Sequence, residues 1–195
     1  MKGIIYIAGA FQNLKATDCI IEGEIDNDPH IWTKPYTWGI CRPDLRERIC
    51  IGDYVFFVLS ASANLPQMIF SYIKVAKIIT HKDAYFEPEL RSKRMANKKY
   101  NGNIIVDENG DYNRFDLGIH RHNFERIKKR YVVADMSISK KLSGQKIIKE
   151  SAEFVNNLKH IFEIKSKVNT PIDIISRYGK SLTEIQVHKL IDLLN

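Results

Sequence analysis

Arg42 and Arg46 stand four residues apart in the run Trp38-Gly39-Ile40-Cys41-Arg42-Pro43-Asp44-Leu45-Arg46-Glu47-Arg48-Ile49-Cys50-Ile51-Gly52-Asp53-Tyr54-Val55-Phe56-Phe57-Val58. Pro43 suits the first position of a short helix through Arg48, and residues four apart on a helix share a face. Two guanidinium groups on one face make a fork for a phosphate or a base edge. The competing reading is local: either arginine pairs with Asp44, Glu47 or Asp53 and merely fixes the turn. Asp53, following Gly52, is both a polar ligand candidate and a natural turn former.

Planar faces accompany these cations. Trp32, Tyr36, Trp38, Tyr54, Phe57 and Tyr85 supply rings, and an unstacked base gains about 1–3 kcal/mol per aromatic contact. Phe57 and Tyr54 are expected in the core. Trp32 and Trp38 flank Pro35 among polar residues, so at least one is expected to border a pocket.

His120-Arg121-His122 is the one candidate metal pair, since alternate residues of a strand point the same way. Asp116 is the candidate third ligand, but histidines beside an arginine more commonly bond to neighbours or contact phosphate, and no metal is expected. Asp53, Glu87, Glu89 and Lys93 could be recruited into a magnesium-dependent nuclease, a pattern that chance supplies in almost any basic domain. The sequence contains no P-loop, G-x-G-x-x-G, G-x-S-x-G or H-E-x-x-H motif, which removes the support for most familiar enzyme classes. The expectation is a site without a catalytic constellation and without a cofactor.

Composition favours an anionic partner. The 195 residues carry 30 Lys and Arg against 23 Asp and Glu, a net charge of +7, so nucleic acid is the leading candidate. The alternative is a compositional bias toward lysine, isoleucine and asparagine. Two clusters favour the first: Arg91, Lys93, Arg94, Lys98 and Lys99, then Arg126, Lys128, Lys129 and Arg130, flanking a predicted hairpin. Cys19, Cys41 and Cys50 have neither CxxC nor zinc-finger spacing, which predicts a reducing compartment, the cytoplasm. The start of the chain reads as a core strand rather than a signal peptide, and no apolar run is long enough to span a bilayer.

The elements that must position these residues are mostly strands. Tyr54 to Ser60 reads as a buried strand, and Met68 to Thr80 as a longer one apolar on both faces. Ile104 to Tyr112 reads as a hairpin with Asn109-Gly110 in a two-residue primed turn. Tyr131 to Met136 gives a last strand, and Glu87 to Met95 a short helix. Beyond Ser139 the texture turns helical, with an amphipathic helix expected over about Leu142 to Ile164. A further helix starts at Thr170-Pro171 and stops at Gly179, and Ser181-Leu182-Thr183-Glu184 reads as a capping box for the last one. Those two helices invite a helix-turn-helix reading, but the last has few basic residues, so packing or dimerisation is preferred.

Cys41-Arg42-Pro43-Asp44-Leu45-Arg46 followed by Gly52-Asp53-Tyr54-Val55 resembles the C-[KR]-P-x-[IL]-R…G-D-[WY]-[IV] signature of the second class of nucleotide modification associated domains. Tyr72 to Ile79 is similar to that family's crossing strand, and Ala84 to Arg94 to its Y-W-x-D-P-x-F-x-x-K block, with Phe86 in place of tryptophan. Gly102-Asn103-Ile104-Ile105 resembles its G-D-N-I-Y segment, and His120 or His122 lies in the region of its histidine. The resemblance covers about residues 1–150 and leaves the tail outside. The arrangement is also similar to the wider PUA, ASCH, EVE and YTH group of small barrels, several of which hold a modified base between aromatic rings.

The resemblance implies an α+β fold: a mixed, strand-rich PUA-like barrel over residues 1–140 with short flanking helices, and a helical extension over residues 141–195 that packs on it or mediates a homodimer. The expected function is recognition of a modified base in nucleic acid or of a modified nucleotide, linked to DNA modification or defence. In that expectation the ligand stacks on Trp32 or Trp38, with Tyr85 as a further ring. Arg42, Arg46, Asn103 and Asp53 select it, and Lys93, Arg94, Arg121 and the histidines His120 and His122 hold phosphates. Two rivals stand beside it: an enzyme of nucleotide modification using Asp53 with His120 or His122, and a regulatory interaction protein.

Overall fold

The computed structural model describes residues 2–8, 15–17, 20–22, 28–60, 67–96, 102–142 and 153–195. Its strands follow the order β4 (Thr37–Trp38), β7 (Tyr131–Ala134), β6 (Ile69–Ile79), β5 (Tyr54–Val58), β1 (Gly3–Ile7), β9 (Lys180–Leu182), with β8 (Lys140–Lys141) also pairing β6, in a seven-stranded mixed sheet. A separate two-stranded ribbon joins β2 (Lys15–Thr17) to β3 (Ile20–Glu22). The fold is thus mixed α and β. The sheet is open: among the described residues no pairing joins β4 to β9, so a closed barrel is not formed.

Two compact units share the chain. Unit one comprises residues 1–24, 52–74 and 140–195. β1 (Gly3–Ile7) pairs in parallel with β5 (Tyr54–Val58), Gly3 opposite Tyr54 and Ile7 opposite Val58. Every residue of β5 is buried, as the unbroken apolar run Tyr-Val-Phe-Phe-Val requires of a strand flanked on both sides. Residues up to Lys74 of β6 (Ile69–Ile79) form its antiparallel neighbour. The rings of Tyr6 and Phe57 meet edge to face at 5.5 Å, and Phe56 lies 5.6 Å from Tyr72.

The tail is less uniformly helical than its sequence texture predicts. It contributes β8 (Lys140–Lys141), paired to β6, and β9 (Lys180–Leu182), antiparallel to β1. β9 lies between α5 (Pro171–Ile175) and α6 (Glu184–Leu194), so their link is a sheet strand and not the turn of a helix-turn-helix. α4 (Phe154–Ile161) covers the second half of the predicted amphipathic helix, and residues 143–152 lie outside the described residues. The capping box of α6 is Thr183 with Gln186 rather than Ser181 with Glu184, because Ser181 is held in β9. Gly3 leaves room for this layer: a Cβ there would sit 2.9 Å from both the Tyr54 carbonyl oxygen and Val187 Cγ2.

Unit two comprises residues 25–51 and 75–139. The second half of β6 pairs with β7 (Tyr131–Ala134), and β7 with β4 (Thr37–Trp38), all antiparallel. Around this ribbon lie α1 (Pro43–Arg46), α2 (His81–Phe86), α3 (Phe124–Ile127) and 3-10 turns over Pro88–Lys93, Arg114–Asp116 and Arg121–Asn123. Its apolar centre includes Ala84, Leu90, Ile104, Val106, Tyr131 and Val133, with Ile40, Ile105 and Ile127 beside them.

Two local expectations change in this unit. The reversal before Tyr112 is present, but of its Asn-Gly pair only Gly110 takes a positive φ, at 87°. Asp107 closes the turn instead, its carboxylate accepting from the amides of Asn109 and Asp111. Arg121 and His122 lie in a 3-10 turn with His120 at its N-cap, rather than in a strand, since Leu117 and Gly118 take positive φ values of 55° and 82° and break the extended path. The alternation that would align two imidazoles is therefore lost. Among the described residues no helix is long and apolar enough to cross a membrane.

Candidate functional site

The centre of unit two is a buried polar network that the sequence does not announce. Asp28, 3% exposed, accepts hydrogen bonds from the amides of Gly39 at 2.6 Å, Ile40 at 2.8 Å and Cys41. One carboxylate thereby orders the turn that leads into α1. Asn103 donates to Asp28 at 3.0 Å through Nδ2, and its Oδ1 accepts from Tyr131 Oη at 2.5 Å and Thr37 Oγ1 at 3.1 Å. Burial raises the pKa of Asp28, an effect that the nearby Arg46 charge and these donors only partly offset.

His81 closes the other side. The Ile105 amide donates to its Nδ1 at 3.3 Å, which leaves the ring proton on Nε2, 2.9 Å from the Gly39 carbonyl. Burial, then the Arg46 charge, lower this imidazole to about 3. It is a neutral structural group whose edge meets the Tyr131 ring at 5.0 Å. Gly39 is required at this crossing, because a Cβ would lie 2.6 Å from two Tyr131 ring carbons.

Arg46 is fully buried; it donates to the carbonyls of Ile40, at 3.0 Å, and Arg130. Arg42 sits at the N-cap of α1 with φ 53°, and its guanidinium grips Asp44 by two bonds of 2.9 and 2.6 Å. The side-chain bond from Arg42 is the main reason the Asp44 pKa is lowered. The two arginines therefore serve different ends and do not form the predicted fork. Trp38 is likewise fully buried in β4 and presents no face to a ligand.

The half-buried aromatic groups lie elsewhere. Lys93, with no exposed surface, directs Nζ to His30 Nδ1 at 2.9 Å, the Thr33 carbonyl at 2.6 Å and Thr33 Oγ1 at 2.8 Å. Those contacts account for all three ammonium protons and fasten the segment bearing half-buried Trp32 to the end of the Pro88–Lys93 turn. Burial drops Lys93 to about 7, and burial followed by the Lys93 charge drops His30 to about 4. The next residue, Arg94, donates to the Tyr85 carbonyl and lays its guanidinium 4.1 Å from the Tyr85 ring centroid. Phe86, 56% exposed, stands edge-on to that ring at 5.4 Å. Gly102 admits the backbone at the end of the Pro88–Lys93 turn: a Cβ there would be 2.2 Å from the Lys93 carbonyl oxygen.

The remaining sequence candidates divide by place. His120 Nδ1 lies 2.8 Å from Asp116 Oδ1, and the His120 amide donates to Asp116 Oδ2 at 2.9 Å. Tyr112 donates to the same carboxylate, and Arg121 lies 5.2 Å over the Tyr112 ring. His122 is exposed on the Arg121–Asn123 turn. Asp53 belongs to unit one, where its carboxylate accepts from the Lys2 amide at 3.1 Å. Lys98 and Lys99 lie outside the described residues.

Asp28, His81, Tyr131, His30 and Thr33 are absent from the sequence-based site. Asp28-Pro29 reads as a turn signal, and nothing local tells that its carboxylate is buried. Compared with protein-family models, curated proteins and solved structures, the chain matches none.

Proposed function

We propose that this protein is a binding module for a modified nucleotide, either free or as a base extruded from nucleic acid, and that unit two carries the contact. The observation that supports this most is the Lys93 tether. It holds the Trp32 segment against the turn that leads into Arg94, so a half-buried indole and a guanidinium stacked on Tyr85 are pre-positioned on neighbouring segments. A planar base meeting such rings gains stacking energy at little ordering cost.

The roles of the residues follow their burial. Trp32, Tyr85 and Phe86 offer the planar faces, Arg94 and Arg121 the cations. Asp28, Thr37, Arg46, His81, Asn103 and Tyr131 spend their polar groups on one another and on backbone, which makes them the frame behind that surface rather than ligand contacts. The motif resemblance around Arg42 and Gly52 points to nucleotide modification, and in this reading the strand-rich body is a PUA-like module whose sheet stays open. A cytoplasmic role alongside DNA modification or defence fits it.

The test is a binding screen of modified and unmodified nucleotides and oligonucleotides with wild type and Trp32→Ala. The expected result is a preference for modified targets, a steep loss of affinity with salt, and a loss of about 1–3 kcal/mol in the variant. Equal binding of modified and plain targets would overturn the reading.

A second reading rests on the Asp116–His120 pair. A buried carboxylate orienting an imidazole is the usual preparation of a general base, and conversion of a nucleotide abolished by His120→Gln would favour it.

A further inference from the structure

The loop between two 3-10 turns in unit two carries an unusual tip. Leu117 and Ile119 are 62% and 64% exposed, on either side of Gly118. Exposed aliphatic side chains are common singly, but two at one tip on a braced loop call for a partner. The bracing is specific. Asp116, 3% exposed, takes the Tyr112 hydroxyl, the His120 amide and the His120 ring, which pins both ends of the Leu117-Gly118-Ile119 tip together. The Ile119 amide also donates to the Asp116 carbonyl at 3.1 Å.

Cations flank the tip on both sides. Arg114 lies 5.0 Å over the Phe115 ring and Arg121 5.2 Å over the Tyr112 ring, which limits the freedom of each guanidinium. His122 follows, and the only acid between Arg114 and Asn123 is Asp116, whose side chain is buried. A braced apolar tip whose preceding and following turns each carry an exposed arginine is complementary to a nucleic-acid duplex, where bases stack inside and phosphates line both edges.

We propose that Leu117 and Ile119 form a wedge that enters a duplex beside an extruded base while Arg114 and Arg121 hold the flanking phosphates. The proposal rests on the nucleic-acid form of the reading above and adds the element that fills the gap left in the stack. Unstacking a base step is costly, and an inserted side chain offsets that cost.

The experiment compares wild type with a Leu117→Asn, Ile119→Ser double variant. Asparagine tolerates the positive φ at 117, and both sites are exposed, so the melting temperature should stay near wild type. The probes are a short duplex with one central mismatch beside 2-aminopurine, and the same strand alone. Wild type should raise the 2-aminopurine fluorescence of the duplex, and the variant should lose on the order of tenfold in duplex affinity while binding the single strand as before.

Equal duplex binding by both proteins, or an equal loss on duplex and single strand, would overturn the wedge and leave the binding module standing. Failure of wild type to bind either probe would remove both the wedge and the nucleic-acid form of the reading. Binding of wild type, but not the variant, to phosphatidylglycerol vesicles without duplex binding would assign the tip to a membrane surface and overturn the proposal.

Discussion

Arg46 and Arg130 exchange backbone contacts: the Arg46 guanidinium donates to the Arg130 carbonyl, and Arg130 Nε donates back to the Arg46 carbonyl at 2.8 Å. The pair locks α1 to the residue preceding β7, and Arg130 adds a 2.7 Å bond to the Ile49 carbonyl. Arg46 is also a positive charge beside buried Asp28. Arg46→Met would leave that carboxylate without its cation, and the expected cost is about 3–5 kcal/mol in urea unfolding. Adding Asp28→Asn should recover part of it, since the uncompensated charge is then gone. Strict additivity of the two losses would refute the coupling.

Stability should fall as the solution is acidified below the ordinary histidine range. Unfolded histidines take up protons near 6.5, whereas folded His30 and His81 do so only at about 4 and about 3. Between those values the unfolded chain binds more protons, so stability declines as pH drops. Lys93 acts with the same sign in a higher window, between about 7 folded and 10.5 unfolded, where stability rises with pH. Asp28 opposes them: its raised folded pKa means stability is lost as pH rises through its titration above 3.8. Urea midpoints across the acid range should slope less for His81→Gln than for wild type, and those of Lys93→Met should flatten on the alkaline side. Parallel profiles would contradict these assignments.

The Lys93 tether makes a separate prediction about order. Lys93→Met keeps the aliphatic stem and removes the three contacts to His30 and Thr33. The Trp32 segment should then loosen, seen as a red shift of tryptophan emission and faster amide exchange over residues 30–36. Nucleotide affinity should drop with it even though no direct ligand contact has been removed. An unchanged exchange pattern would show that other contacts hold the segment.

How much of this was legible depends on sequence distance. Pro43 announces α1 correctly, but the partner of Arg46 lies 84 residues away, and no local pattern encodes that. The long strand over Ile69–Ile79 is readable from its apolar run, whereas β9 is three residues with a lysine and a serine, made a strand by the exposed edge of β1. The basic clusters read as phosphate contacts by type alone. Burial converts Lys93 and Arg46 into internal braces, and burial is a property of the assembled fold.

Gly102 tests whether the approach of two backbones sets the site. A Cβ at this position would meet the Lys93 carbonyl oxygen at 2.2 Å and the Arg94 carbonyl carbon at 2.5 Å, both main-chain atoms that cannot rotate away. Gly102→Ala should therefore separate the Arg94 and Ile104 segments, which are joined by a bridge, and cost about 1–3 kcal/mol as overpacking does. Gly118→Ala is the control for the same substitution with nothing within 4 Å of its Cβ. Its positive φ of 82° adds backbone strain alone, of about 1 kcal/mol. Equal effects on thermal stability would argue against a packing origin at Gly102.

The two indoles should separate cleanly by what they lose. Trp38 is fully buried in β4, so Trp38→Ala opens a large cavity and the expected cost is about 3–5 kcal/mol. That loss would appear as a lowered denaturation midpoint before any ligand is added. Trp32 is half-buried, so its removal should spare most of the stability and act on ligand affinity. Emission follows the same division: quenching by acrylamide should be confined to Trp32 in wild type and vanish in Trp32→Ala, and a bound nucleotide should protect it. If the ligand instead quenched the emission remaining in Trp32→Ala, stacking would have to involve the Trp38 side of the ribbon, and the assignment of the planar contact to Trp32 would fail.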